Sequence, residues 1–257
     1  MIKLSNRLLK IAEYITPGSR VADIGSDHAL LPVYLLQNGI AASAIAGELN
    51  AGPLAAAKKQ AADAGLTGKL QVRQGNGLAV LQGDEADTVT IAGMGGGLMK
   101  EILEEGHERG MLAQVQELVL QPNVGEDIVR SWLLEKGWYL KAESILEEDG
   151  KIYEVLHAQR SSDAERLNKE LYDGSFLGLA WQKEITTSLL VHMGPHLLRS
   201  GGPILIMKWQ SELQKLNRIC GQLAESELPQ ATAKWRQLQE EIKMIGEVLQ
   251  CLQTAND

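Results

Sequence analysis

Hydrophobic positions follow two different rhythms along this chain, and the change between them falls near residue 160. Before it, short apolar and β-branched runs stand at Arg20–Ile24, Ser43–Glu48, Lys69–Gln74, Asp87–Ala92, Glu117–Gln121, Trp138–Ile145 and Ile152–His157. Their length and composition predict strands. Helical patterns fill the early gaps, at Ala29–Gln37, Gly52–Ala64, Gly97–Glu105 and Gly125–Glu135. Strands separated by helices of that length require parallel crossovers, so the fold class is α/β with a sheet covered on both faces. The last two runs are separated by little more than Glu147-Glu148-Asp149-Gly150, a spacing that requires an antiparallel hairpin at the sheet edge.

After residue 160 the pattern is almost wholly helical. Ile206, Trp209, Leu213, Leu216, Cys220 and Leu223 alternate steps of three and four, and Trp235, Leu238, Ile242, Ile245, Leu249 and Leu252 repeat the rhythm. Sustained 3-4 spacing predicts coiled-coil packing, and the break at Ser226–Pro229 points to two helices folding back antiparallel. The alternative is a seam that pairs between chains, so the expected state is a monomer or a dimer through the C-terminal helices. Two domains are expected, 1–160 and 161–257. Folding about Leu228 sets Cys220 and Cys251 roughly 20 Å apart along the hairpin at 1.5 Å per residue, too far to bridge, so both are expected as free thiols.

At the N-terminus, Leu4–Ile15 reads as an amphipathic helix with Leu4, Leu8, Ile11 and Ile15 on one stripe. Lys3, Arg7 and Lys10 fall on another, either a solvated polar face or a phosphate-facing strip that binds substrate.

Composition narrows the function classes. The 257 residues carry 25 Lys+Arg against 33 Asp+Glu, a formal net charge of -8, with the excess acid mainly before residue 160. With 44% hydrophobic residues, the chain has ample apolar surface for a core and is not a disordered tail protein. No apolar run reaches the length of a membrane span, and the first residues lack a secretory pattern, so a cytoplasmic protein without membrane association is expected. A single Phe argues against an aromatic stacking platform for single strands. His192 and His196 stand four apart, but Gly194 and Pro195 break the helix between them and no third ligand is near, so no metal is expected.

The candidate chemistry lies at the ends of the predicted strands. The first runs into Asp23-Ile24-Gly25-Ser26-Asp27-His28, a glycine turn before a helix, as in nucleoside-cofactor loops. The G-x-G-x-x-G that brings backbone N–H groups to a pyrophosphate is missing. Instead, Asp23 and Asp27 flank the turn, repelling phosphate and suiting a sulfonium and an ammonium group, both carried by S-adenosylmethionine. Glu48 closes the second run about twenty residues on, where a carboxylate accepts from ribose hydroxyls. The third ends in Gly75-Asn76-Gly77-Leu78, with Asn76 able to offer its amide to an adenine edge. The fourth enters Ile91-Ala92-Gly93-Met94-Gly95-Gly96-Gly97, which is no P-loop, and four glycines suggest crowding by a ligand. The fifth ends in Gln121-Pro122-Asn123, placing two amides beside the same crevice as substrate contacts.

Together Asp23-Ile24-Gly25-Ser26-Asp27-His28, Gly75-Asn76-Gly77-Leu78, Ile91-Ala92-Gly93-Met94-Gly95-Gly96 and Gln121-Pro122-Asn123 resemble the TrmK family of bacterial tRNA methyltransferases, over the whole chain. The resemblance implies a class I Rossmann-like methyltransferase sheet with a helical C-terminal domain. It also implies methylation of N1 of adenine 22 in tRNA by S-adenosylmethionine. It places Asp23, Gly25, Ser26 and His28 around the methionine portion, Glu48 on the ribose, and Asn76 and Gly77 near adenine. Gly93 and Met94 would line the reaction centre. From the residues themselves, Lys3, Arg7, Lys10, Gln121 and Asn123 are the candidate substrate contacts. Because N1 already has an in-plane lone pair, alignment dominates, and Asp27 or His28 is the candidate to stabilise the cationic product or take an N6 proton. A methyltransferase acting on a small molecule or another RNA, and a non-enzymatic coiled-coil adaptor, are the rival readings.

Overall fold

All seven apolar runs form strands, joined in one sheet of order β3-β2-β1-β4-β5-β7-β6. They are β1 (Arg20–Ile24), β2 (Ser43–Glu48), β3 (Leu70–Gln74), β4 (Thr88–Gly95), β5 (Glu117–Val124), β6 (Tyr139–Glu148) and β7 (Lys151–Gln159). The computed structural model describes residues 2–179, 181–225 and 229–254. The first five strands pair in parallel, whereas β7 runs antiparallel to both β5 and β6. From β1 the chain moves outward to β2 and β3 and then returns to β4 on the other side of β1. That reversal opens a crevice at the carboxyl ends of β1 and β4.

Five helices accompany the strands: α1 (Asn6–Tyr14), α2 (Leu30–Gln37), α3 (Ala51–Asp63), α4 (Gly96–Glu108) and α5 (Glu126–Glu135). Ile11, Val33 and Ala57 from α1, α2 and α3 join Val21, Ala46 and Val119 in one core cluster. Strand alternation turns Leu118 and Leu120, both fully buried, to the opposite face, where α4 and α5 pack. The helix α1 begins later than the apolar stripe suggests. Ser5 accepts from the Leu8 N–H, and the Glu148 carboxylate accepts from the N–H groups of Asn6 and Arg7. Lys3 therefore precedes the helix and shares no helical face with Arg7 and Lys10.

β4 and β5 run past their apolar runs into the glycine and Gln-Pro-Asn segments. Met94 pairs with Pro122 and Gly95 with Val124 across two register shifts. A proline has no N–H for the ladder, and a bulge is where a sheet tolerates it.

Glu117 ties the segment after α1 to β4, β5 and β7 at the start of β5. It is 3% exposed and accepts from Thr16 N (3.0 Å), Thr16 Oγ1 (2.8 Å), Thr88 Oγ1 (2.8 Å) and Gln159 Nε2 (3.1 Å), and hydrogen-bonds with His157 Nε2 (2.9 Å). Burial pushes its carboxyl pKa up, but these hydrogen bonds outweigh it and bring the value down to about 2. A carboxylate held below its ordinary value stabilises the fold above that value, and the contribution is lost as pH falls from about 4.5 to about 2. Glu117→Gln is expected to lower stability at neutral pH by on the order of 3 kcal/mol and to flatten this acid limb. Urea unfolding at pH 3 and pH 7 checks it; equal losses at both would remove the ionised carboxylate as the cause.

The chain divides into compact units Met1–Tyr172 and Asp173–Asp257. The division falls beyond the compositional change at residue 160 because α6 (Ala164–Leu171) packs on β6, with Asn168 donating to the Trp138 carbonyl at 2.8 Å. The second unit holds α7 (Lys183–Met193), α8 (Pro195–Ser200), α9 (Pro203–Ala224) and α10 (Pro229–Thr254). Seam residues Trp209, Leu216 and Cys220 of α9 and Leu238, Ile245, Leu249 and Leu252 of α10 are buried. The two helices pack on each other within the chain, and Gln239 donates to Cys220 Sγ at 3.0 Å. Residues 226–228, where most of the Ser226–Pro229 break falls, lie outside the described residues. Neither Cys220 nor Cys251 forms a disulfide. Among the described residues, no helix is long and apolar enough to cross a membrane, and no cluster of His, Cys, Asp and Glu is placed to hold a metal.

Candidate functional site

A cavity of about 380 Å³ opens where β1 and β4 diverge, lined by Arg7, Leu8, Asp23, Gly25, Ser26, Asp27, Leu30, Leu31, Ala92, Gly93, Met94 and Asn123. Its floor is the turn after β1. The N–H groups of Gly25 and Ser26 both donate to the Gly47 carbonyl, pinning the turn to β2. Gly25 has φ +71°, and a Cβ there would stand 2.3 Å from Met94 Cε. Glycine is thus required both for the backbone and for Met94 to lie across the turn.

Asp27, His28 and Ala29 follow with φ of 39°, 65° and 57°, three successive non-glycine residues in the left-handed region. Such residues cost roughly 1–2 kcal/mol each and persist where surroundings over-determine them. Here the Asp27 N–H donates to Glu48, and the buried Ala29 opens α2 with its carbonyl accepting from Val33.

Three carboxylates crowd this turn. Asp23 is 4% exposed; its oxygens accept from Ser26 Oγ at 2.5 Å and Thr90 Oγ1 at 2.6 Å. Burial raises its pKa against the pull of those two hydroxyls. Glu48 is also buried, and its pKa is raised by burial and by the charges of Asp27 and Asp23, with the Asp27 N–H opposing. Its Oε1 is buried with no hydrogen-bond partner. A buried carboxylate oxygen left unpaired is costly unless a ligand supplies the donor. This site therefore fits a cation bearing hydroxyl groups, and it repels a phosphate.

The opposite wall is fixed by amides. Gln121 is fully buried, and its Oε1 accepts from the Gly93 N–H at 3.1 Å and from the Arg7 guanidinium. Its Nε2 donates to the Pro122 carbonyl at 2.7 Å and to Asn123 Oδ1 at 3.2 Å, while Asn123 Nδ2 donates to the Gly93 carbonyl at 2.8 Å. Both polar groups of the Gly93 backbone are thus held before any ligand arrives. Arg7 also lies over the Tyr153 ring, 5.4 Å from its centroid.

The sequence-derived candidates thus separate into groups. Asp23, Gly25, Ser26, Asp27, Gly93, Met94, Asn123 and Arg7 come together on the cavity, and Glu48 joins them through Asp27. Gln121 stands behind the wall with its amide committed, so it orders Gly93 and Arg7 rather than facing a substrate. His28 is exposed beside Asp27, its Nε2 3.5 Å from Oδ1. Asn76 is exposed at the end of β3 and its side chain caps nothing. Gly77 has φ +52°, a conformation side-chain-bearing residues rarely adopt, and a Cβ there would also press on Ile102 Cγ2 of α4 at 3.0 Å. Lys10 pairs with Glu13, and Lys3 is exposed.

The glycine run is also explained only in part by a ligand. Gly96 is required because a Cβ would meet the Gly125 carbonyl oxygen at 2.0 Å, while only Gly93 borders the cavity. Sequence reasoning missed Thr90, which satisfies Asp23 from within an apolar run, and the apolar lining residues Leu8, Leu30 and Leu31. A threonine interrupting Val89 and Ile91 was the available signal for the first.

Comparison with known proteins agrees in kind with this geometry. A family profile described as TrmK, tRNA (adenine(22)-N(1))-methyltransferase, matches residues 21–247. The chain is 40% identical over 249 residues to the Bacillus subtilis (strain 168) tRNA (adenine(22)-N(1))-methyltransferase, covering 96% of this chain and 98% of that one. It is similar to the crystal structure of the B. subtilis m1A22 tRNA methyltransferase TrmK, with TM-score 0.85, 39% identity and coverage of 97% and 100%. A Streptococcus pneumoniae protein solved in complex with S-adenosyl-L-methionine is similar at TM-score 0.78 and 38% identity, with coverage of 96% and 100%.

Proposed function

Since the chain belongs to the TrmK family of tRNA (adenine(22)-N(1))-methyltransferases, we infer that it transfers the methyl group of S-adenosylmethionine to N1 of adenine 22 in tRNA. The observation that carries this reading in the molecule itself is the anionic turn after β1, with a buried, unpartnered Glu48 oxygen. When bound, S-adenosylmethionine supplies an electrophilic methyl group on a sulfonium centre.

In this reading Asp23 and Asp27 supply negative potential for the cationic donor, and Glu48 accepts from ribose hydroxyls. The uncapped first turn of α2, where Leu30 and Leu31 border the cavity, suits the carboxylate of the methionine portion. Met94, lying over Gly25, bounds the space in which the target nitrogen approaches, and Gly93 keeps a fixed backbone through Gln121 and Asn123. Adenine N1 sits on the Watson–Crick edge, so the base reacts only when swung out of its stack. The chain's work is then alignment, for which a wall with its hydrogen bonds already formed is suited. Asp27, exposed at the rim, is placed to favour the positive charge that N1-methylation leaves on the base. The paired α9 and α10 support a single chain as the working unit, gripping the tRNA body, and a tRNA substrate puts the reaction in the cytoplasm.

Incubation with labelled methyl donor and unmodified bulk tRNA, followed by nucleoside mapping, is expected to yield 1-methyladenosine at position 22. Label in another nucleoside would overturn the assignment. In the same assay, deleting residues 173–257 is expected to reduce methylation more than donor affinity. Equal loss of both would make the helices structural support alone.

A further inference from the structure

Exposed apolar side chains in the first unit are not scattered. Among its described residues the large exposed ones are Leu49, Leu98, Val124 and Ile128, and all lie at or just beyond the carboxyl ends of strands. Leu49 follows Glu48 on the donor side. The other three gather on the adjoining β4–α4 and β5–α5 turns, with 52%, 67% and 37% of their surface exposed. Val124 pairs with Gly95 in the ladder, and its Cγ2 stands 3.9 Å from where a Cβ on Gly95 would be. Ile128 Cδ1 lies over Gly125, whose carbonyl in turn touches Gly96, and Leu98 sits in the first turn of α4. The patch adjoins the cavity: Met94 and Asn123 line it, and the next residues along each strand, Gly95 and Val124, pair in the ladder.

Resting on the methyltransferase reading above, we propose that Leu98, Val124 and Ile128 form an apolar lip that takes the stacking place vacated by the target adenine. When a base leaves its stack, the faces of its neighbours lose their partner, and proteins that hold such distortions use aliphatic wedges against the exposed faces. The lip has that chemistry and stands beside the cavity in which the base must be received. Base faces rather than phosphates are the fitting occupant, since Asp127 adjoins Ile128 and would repel the RNA backbone.

The test uses the full-length protein with unmodified tRNA, comparing wild type, Leu98→Ser/Val124→Ser and Leu98→Met/Val124→Ile. The serine pair is expected to lower the single-turnover methylation rate about 10-fold or more. Calorimetric affinity for S-adenosylmethionine should stay at the wild-type value, and the aliphatic pair should restore the rate. Fluorescence of 2-aminopurine placed at position 22 is expected to rise on binding to wild type and to rise less with the serine pair. An unchanged rate in the serine pair while wild type methylates adenine 22 would overturn the lip and leave the enzyme's function standing. An altered oligomeric state at unchanged rate would do the same and assign the patch to a second copy of the chain. A wild-type protein inert toward tRNA would sink the functional reading, and the lip with it.

Discussion

Glu48→Ala is expected to weaken binding of S-adenosylmethionine by about 10–100-fold, the loss of a charge-assisted hydrogen bond of about 1.5–3 kcal/mol. The direction follows from the resting state of the side chain. One of its oxygens is buried without a partner, and its carboxyl pKa is pushed up by burial and by neighbouring Asp27 and Asp23. A bound cation with hydroxyl groups relieves both conditions, so binding favours the ionised form. Donor affinity should therefore fall as pH drops through the raised Glu48 pKa. Glu48→Gln should remove that pH limb while leaving the fold's melting temperature largely in place. Calorimetry across an acidic-to-neutral pH series reads both effects, and an unchanged affinity in the alanine variant would take Glu48 out of the site.

Arg130→Met is expected to be the most destabilising of the changes considered, by about 3–5 kcal/mol. Arg130 of α5 is fully buried between Glu143 of β6 and Glu154 of β7, with its Nε 2.5 Å from Glu143 Oε1 and a second ion pair to Glu154. Removing the cation leaves two carboxylates facing each other in the core. The cost is that of stranded charge rather than of lost packing, and a control separates the two. Arg130→Met/Glu143→Leu/Glu154→Leu should recover most of the stability, because exchanging a whole buried ion cluster for apolar groups is often neutral or favourable. Urea denaturation of the two variants provides the comparison. A triple variant as unstable as the single one would mean that the methyl-bearing replacements do not fit the space.

The elements of the first unit were legible from the sequence because their signals are local. A β-branched run and a glycine turn are read within a few residues, so the seven strands, their helices and the edge hairpin could be placed from spacing alone. The acidic turn around Gly25 was equally visible, since Asp23, Asp27 and Glu48 lie at successive strand ends. What each polar side chain is committed to was not visible. Thr90 reaches Asp23 from 67 residues away, and Arg7 reaches Gln121 from 114. Gln121 has the composition of a substrate contact, yet its buried amide is already spent on Gly93, Arg7 and Asn123. Lys3 has the spacing of a helical stripe, yet Ser5 caps the helix after it.

By itself, then, the sequence determined the α/β class, the helical C-terminal part, the charge sign of the turn after β1 and the family resemblance. Each of these depends on residue type and short-range order. Tertiary structure alone decided that Asp23 is buried with its oxygens held by Ser26 and Thr90, and that Gly96 answers a packing demand. It also decided that Leu98, Val124 and Ile128 stay exposed on the adjoining β4–α4 and β5–α5 connections. Those outcomes depend on which distant groups share a volume from which water is excluded, and there every donor, acceptor and Cβ must be accommodated at once.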